Sequence, residues 1–94
     1  MQVYSFTAAV SNFQVFEDTI ALCNATSAAF NFQLPDATTC IGRKISVKKT
    51  DSTANAVTLT TTSSQTIDGA STYGLSSQYA VARIVSNGTN WFLI

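Results

Sequence analysis

Few side chains in this sequence could do chemistry, and the missing types narrow the field first. There is no histidine. That removes the usual general base, a common metal ligand, and the Ser-His and Cys-His pairs that activate a nucleophile. Carboxylates remain on Glu17, Asp18, Asp36, Asp51 and Asp68. Two of them could flank a glycosidic bond. Yet each Asp stands beside Thr, Ala, Ser or Gly, where its side chain would cap a turn. Asp51-Ser52-Thr53-Ala54-Asn55 lacks the alternating oxygen ligands and bidentate Glu of a calcium loop, and reads as a solvated turn. Cys23 and Cys40 cannot make a four-ligand zinc site alone. The glycines, Gly42, Gly69, Gly74 and Gly88, stand singly rather than in a phosphate-cradling loop. These residues predict a protein that is not an enzyme, with no catalytic residue, metal site or cofactor.

Binding chemistry is nearly as sparse. Five basic and five acidic side chains give a formal charge of zero, so no basic surplus exists to neutralise a phosphate backbone, and a nucleic-acid partner is disfavoured. Lys44, Lys48 and Lys49 form a short basic patch, with Lys44 and Lys48 on the outer face of one strand, where lysines guard an edge. Tyr4, Tyr73, Tyr79 and Trp91 could stack on a sugar, but Trp91 and Tyr79 fall within apolar strands and read as core. Tyr73, in Ala70-Ser71-Thr72-Tyr73-Gly74, is the aromatic expected at the surface. Asn24-Ala25-Thr26 and Asn87-Gly88-Thr89 match a glycosylation sequon, as chance allows with 25 Ser and Thr residues among 94.

The elements that must position these residues are strands. Only 11% of the residues are charged, polarity comes from hydroxyls, and β-branched Thr suits a pleated surface. No stripe at the helical period is present. Strands are predicted at Val3–Thr7, Phe13–Phe16, Thr19–Asn24, Phe30–Leu34, Lys44–Lys49, Ala56–Thr61, Tyr79–Ser86 and Asn90–Ile94. Phe30, Phe32 and Leu34 point one way while Asn31 and Gln33 point the other. Ile45 and Val47 alternate with Lys44, Ser46 and Lys48, and Val57 and Leu59 with threonines. Pro35-Asp36, Asp51-Ser52 and Asp68-Gly69 mark turns. The expected fold is all-β, a compact antiparallel β-sandwich or β-roll of about eight short strands, in one domain spanning 1–94, with no internal repeat.

Asn87-Gly88 favours a type I′ hairpin, because both residues tolerate positive φ. A two-residue loop there pairs Ile84 with Trp91, and a four-residue loop, Asn87 to Asn90, leaves every residue on the same face. One face then holds Ala80, Ala82, Ile84, Trp91 and Leu93. The other holds Tyr79, Val81, Val85, Phe92 and Ile94, with Arg83 as its one charge. Two dry faces need two covers. The strands of Phe30, Ile45 and Val57 can supply one, and a neighbouring subunit is the simplest second. Tyr79, Val81, Arg83, Val85, Phe92 and Ile94 are therefore the candidate oligomer interface.

Met1-Gln2-Val3-Tyr4-Ser5 has neither the positive nor the apolar stretch of a secretory signal. The longest apolar run is far below spanning length, so a soluble protein without membrane insertion is expected. Cys23 and Cys40 read as small buried hydrophobes with free thiols.

A set of ordered segments adds a family likeness. It runs Asp18-Thr19-Ile20, Asn24-Ala25-Thr26-Ser27-Ala28-Ala29-Phe30, and Leu34-Pro35-Asp36-Ala37. It continues with Gly42-Arg43, Ile45-Ser46-Val47-Lys48-Lys49-Thr50-Asp51, Thr66-Ile67-Asp68-Gly69 and Ser86-Asn87-Gly88-Thr89-Asn90-Trp91. In order and spacing these resemble a β module of bacteriophage tail fibres, tailspikes and related virion proteins, over about residues 15 to 94. Ala28 departs from the Gly that such modules often carry. The modules commonly end long fibre chains, so Met1 opens either a short protein or an excised domain. The resemblance implies a structural or host-attachment protein of the virion, assembled in the host cytoplasm. It would serve as a fibre tip, tail accessory or capsid decoration module. The resemblance alone supplies a homotrimer, with other virion proteins and a host surface glycan as further partners. The Ser- and Thr-rich segments Thr60–Gln65 and Asp68–Ser77 would offer receptor contacts at Ser64, Gln65, Ser71, Thr72 and Tyr73. The competing reading is a monomeric carbohydrate-binding β-sandwich module built around Tyr73. A third is a secreted adhesin fragment with a Cys23–Cys40 bridge.

Overall fold

The computed structural model describes residues 1–94 apart from Asn12, Val15 and Phe16. Its strands are β1 (Gln2–Phe6), β2 (Thr19–Cys23), β3 (Phe30–Gln33), β4 (Lys44–Lys49), β5 (Val57–Thr60), β6 (Thr72–Leu75), β7 (Val81–Ser86) and β8 (Trp91–Leu93), with a 3₁₀ turn at Ala37–Thr39. The all-β expectation and the number of strands agree with this. Among the described residues no helix is long and apolar enough to cross a membrane.

The strands form two sheets, a five-stranded one in the order β1-β2-β4-β7-β8 and a three-stranded one in the order β3-β5-β6. They are mixed, not antiparallel throughout. β1, β2 and β4 run parallel, with Gln2 opposite Thr19 and Thr19 opposite Ile45. β3 and β5 also run parallel, with Phe30 opposite Val57. Parallel neighbours need a crossover, and here each crossover is the other sheet. The chain leaves β2 for β3, returns to β4 beside β2, and leaves again for β5 beside β3. A shorter first lap runs from β1 to Val10, which bridges Phe32 in parallel. The chain therefore stacks like turns of a coil, and antiparallel β6, β7 and β8 close it.

Alternation decides what lies between the sheets. Ala21, Cys23, Ile45, Val47, Ala82, Ile84 and Trp91 face Phe30, Phe32, Val57, Leu59 and Leu75 in one buried cluster. Trp91 is fully buried, and its indole N–H donates to the Pro35 carbonyl at 3.3 Å. The end of the stack nearest β1 is filled by Tyr4, Phe6, Phe13 and Phe32, whose rings meet edge-on or stacked at 5.3–6.0 Å. In the predicted strand Phe13–Phe16, Phe13 and Gln14 are not in a strand, and Val15 and Phe16 lie outside the described residues.

Three local expectations need correction. The type I′ turn is at Asp68-Gly69, where both residues have positive φ (50° and 88°) and Ile67 and Ala70 exchange backbone hydrogen bonds of 2.7 and 3.0 Å. The terminal hairpin instead has the four-residue loop, with Ser86 opposite Trp91 and Ile84 opposite Leu93. There the Asn87 side chain accepts from the Thr89 and Asn90 N–H groups, while Asn90 is drawn aside to accept from the Thr66 N–H. Finally, Thr72–Leu75 is a strand, although it falls in the Ser- and Thr-rich segment Asp68–Ser77, which reads as loop.

Candidate interaction face

The outer face of the larger sheet is a grid whose rows follow from the strand registers. Val3, Ile20, Ser46, Arg83 and Ile94 form one row across β1, β2, β4, β7 and the end of β8. Ser5, Leu22, Lys48 and Val81 form the next, and Lys44, Val85 and Phe92 a third. Along β2, β4 and β7 these residues alternate with buried ones, because successive side chains leave a strand on opposite faces.

Five of the six candidate interface residues lie on this grid. Val81, Phe92 and Ile94 are 47%, 39% and 59% exposed, Arg83 is exposed and Val85 is half-buried. Tyr79 sits just before β7 in a turn, not in the strand, with φ at +66° and its N–H donating to the Lys49 carbonyl at 2.7 Å. Tyr79 is 61% exposed, so it is not core, and the Lys48 ammonium lies 5.4 Å from the centre of its ring. The inner face of the hairpin is covered by the smaller sheet. Ile45 is a neighbour within the hairpin's own sheet, not a cover.

The cations of this face are Lys44, Lys48 and Arg83, and among the described residues none of them is in an ion pair. The Asp18 carboxylate, next to β2, borders them and accepts the Lys44 N–H at 3.1 Å.

Lys49 does not belong to that basic patch. Period two carries it inward after Ile45 and Val47, and it is 0% exposed. Its ammonium donates to a carboxylate oxygen of Asp51 at 2.7 Å, to the Asp51 carbonyl at 3.2 Å and to the Thr53 carbonyl at 2.8 Å. The other Asp51 carboxylate oxygen accepts the Ala25 N–H at 2.8 Å, and the first also accepts the Thr53 N–H and hydroxyl. Burial alone would push the Asp51 carboxyl up, but the Lys49 ammonium and the bonds from Thr53 and Ala25 hold it well below the usual carboxylate range. Asp51 therefore does not lie in a solvated turn. It ties the β2–β3 crossover to the β4–β5 crossover.

The receptor-contact candidates divide. Ser64, Ser71, Thr72 and Tyr73 are exposed, the last two on edge strand β6. Gln65 is buried, accepting the Ala37 N–H at 2.9 Å and donating to Asp36 at 2.6 Å, so it braces the 3₁₀ turn. A groove of about 570 Å³ that the sequence did not suggest opens beside the crossovers. It is lined chiefly by Thr7, Ala8, Ala9, Ala28, Ala29 and Ala56, and by no titratable group. Cys23 and Cys40 are free and buried, and burial pushes the Cys23 thiol up to about 12. Compared with protein-family models, curated proteins and solved structures, the chain matches none of them.

Proposed function

We propose that this chain is a structural or attachment protein of a bacteriophage virion: a fibre tip, tail accessory or capsid decoration module. It assembles as a homotrimer through the outer face of its larger sheet. The observation that carries the assembly is the exposure of Tyr79, Val81, Phe92 and Ile94 on one side of the terminal hairpin, where the described residues provide no second layer. Large apolar side chains exposed together on one side of a small protein mark an interaction site. The virion class rests on the ordered segments from Asp18 to Trp91. Those segments also supply the joints of the fold: the Pro35 carbonyl that takes the indole N–H, the Lys49–Asp51 pair and the Asp68-Gly69 turn. Ser64, Ser71, Thr72 and Tyr73 would then face outward as host-surface contacts.

Light scattering and a glycan array together test this reading. The expected result is three protomer masses, with no dependence of the assembly on Tyr73. A lone protomer whose glycan binding disappears with Tyr73→Ala would instead establish the carbohydrate-binding module.

A further inference from the structure

The arrangement of charge on the outer face restricts how copies can meet, and this rests on the homo-oligomer reading above. Lys44, Lys48 and Arg83 stand on two adjacent interior strands, β4 and β7. Apolar side chains flank them on both sides, Val3, Ile20 and Leu22 on one and Phe92 and Ile94 on the other. A two-fold contact is isologous, so it would set this cationic centre against itself. Like charges brought together in a closing interface are strongly unfavourable.

The chain carries the opposite charge elsewhere. Its net charge is zero, Lys49 and Asp51 cancel inside the core, and Glu17 is taken by the N-terminal ammonium at 2.6 Å. Asp18, Asp36 and Asp68 have no ion-pair partner among the described residues. Asp18 lies beside the cations themselves, where it accepts the Lys44 N–H, whereas Asp36 and Asp68 border the segment Gln65–Asp68, which runs alongside the outer edge of β8. Gln65 bonds Asp36. Asp68 donates its N–H to the Trp91 carbonyl at 3.1 Å and accepts the Leu93 N–H at 3.1 Å. The acidic flank therefore adjoins one edge of the sheet whose face is cationic. We infer that the face is covered by a second copy arranged head to tail, its Asp36–Asp68 flank set against Lys44, Lys48 and Arg83. Such a contact is heterologous, and repeated by a closing rotation it generates a ring.

Sedimentation equilibrium of the full chain across a salt series reads the difference. Raising NaCl from about 0.1 M to about 1 M shortens the screening length from about 10 Å to about 3 Å. The expected result is an apparent dissociation constant at least ~10-fold higher at the upper salt. Lys48→Glu with Arg83→Glu should remain folded by circular dichroism and sediment as protomers. Mixing that protein with Asp68→Lys protein should restore association. Association that salt leaves unchanged or tightens would overturn the head-to-tail contact while leaving the oligomer standing. The same holds if the charge-reversed protein pairs with wild type more tightly than either does alone. Lone protomers at every salt would remove both the contact and the homo-oligomer.

Discussion

At the residue scale, two buried side chains carry much of the fold. Trp91 fills the space between the sheets and satisfies its indole N–H on Pro35. Trp91→Ala should cost about 3–5 kcal/mol in urea unfolding, and an unchanged midpoint would contradict its core role. Lys49 has no free donor, so Lys49→Met leaves the Asp51 carboxylate and two carbonyls without their partner. The expected loss at neutral pH is about 3–5 kcal/mol. Its pH dependence has a defined sign. Because the folded Asp51 carboxyl titrates below its ordinary value of 3.8, its contribution is complete above about pH 4 and is lost as pH falls further. Wild-type melting temperature should therefore drop on acidification below pH 4, while the difference from Lys49→Met narrows, since protonating Asp51 relieves the variant. A difference that widens toward acid would contradict the pairing. Cys23, with its thiol held near 12, should react with iodoacetamide at pH 8 on the order of 10³-fold more slowly than in urea, from its thiolate fraction alone. Trp91 was legible from its apolar strand. Lys49 was not, because charge suggests solvent, although its even spacing from Ile45 and Val47 and the Asp51 two residues on were available signals.

At the element scale, face patterns were readable and strand partners were not. Alternation placed Phe30, Phe32, Ile45, Val47, Val57 and Leu59 correctly, since burial selects every second residue whatever the neighbour's direction. Polarity leaves no such mark. The parallel pairing of β2 with β4 depends on Asp51 and Asn55 reaching back to Ala25 across the crossovers, with bonds of 2.8 and 2.9 Å. For the same reason, the two- and four-residue hairpin loops were indistinguishable by face. The side chains of Asn87 and Asn90, engaged in different directions, select the longer loop. β6 was missed because an edge strand with three exposed residues out of four shows no apolar alternation. Gly88 has φ of +93°, and a Cβ there would meet the Ile41 side chain at 3.0 Å. Gly88→Ala should therefore destabilise by about 1–2 kcal/mol, measured as a shift in urea midpoint at unchanged slope. A neutral effect would contradict the left-handed loop.

At the scale of the whole molecule, the candidate face was largely legible, because five of its six residues alternate with buried partners along β7 and β8. Tyr79 was placed one element too far, since its turn continues the apolar run of the strand. The cations of β4 could not be assigned to the same face from the sequence, which does not state that β4 adjoins β7. Glutamine is usually at the surface, so nothing in the sequence marks Gln65 as buried, while here it closes two bonds that hold the 3₁₀ turn. The central claim is that this face is covered by sister copies. Sedimentation equilibrium at micromolar concentration, on wild type and on Val81→Asp with Phe92→Asp, tests it most directly. Both positions are exposed in the protomer, so the substitutions should spare folding and abolish assembly. Trimers are expected for wild type and protomers for the variant; wild-type protomers, or a variant that assembles as wild type does, would contradict coverage by sister copies.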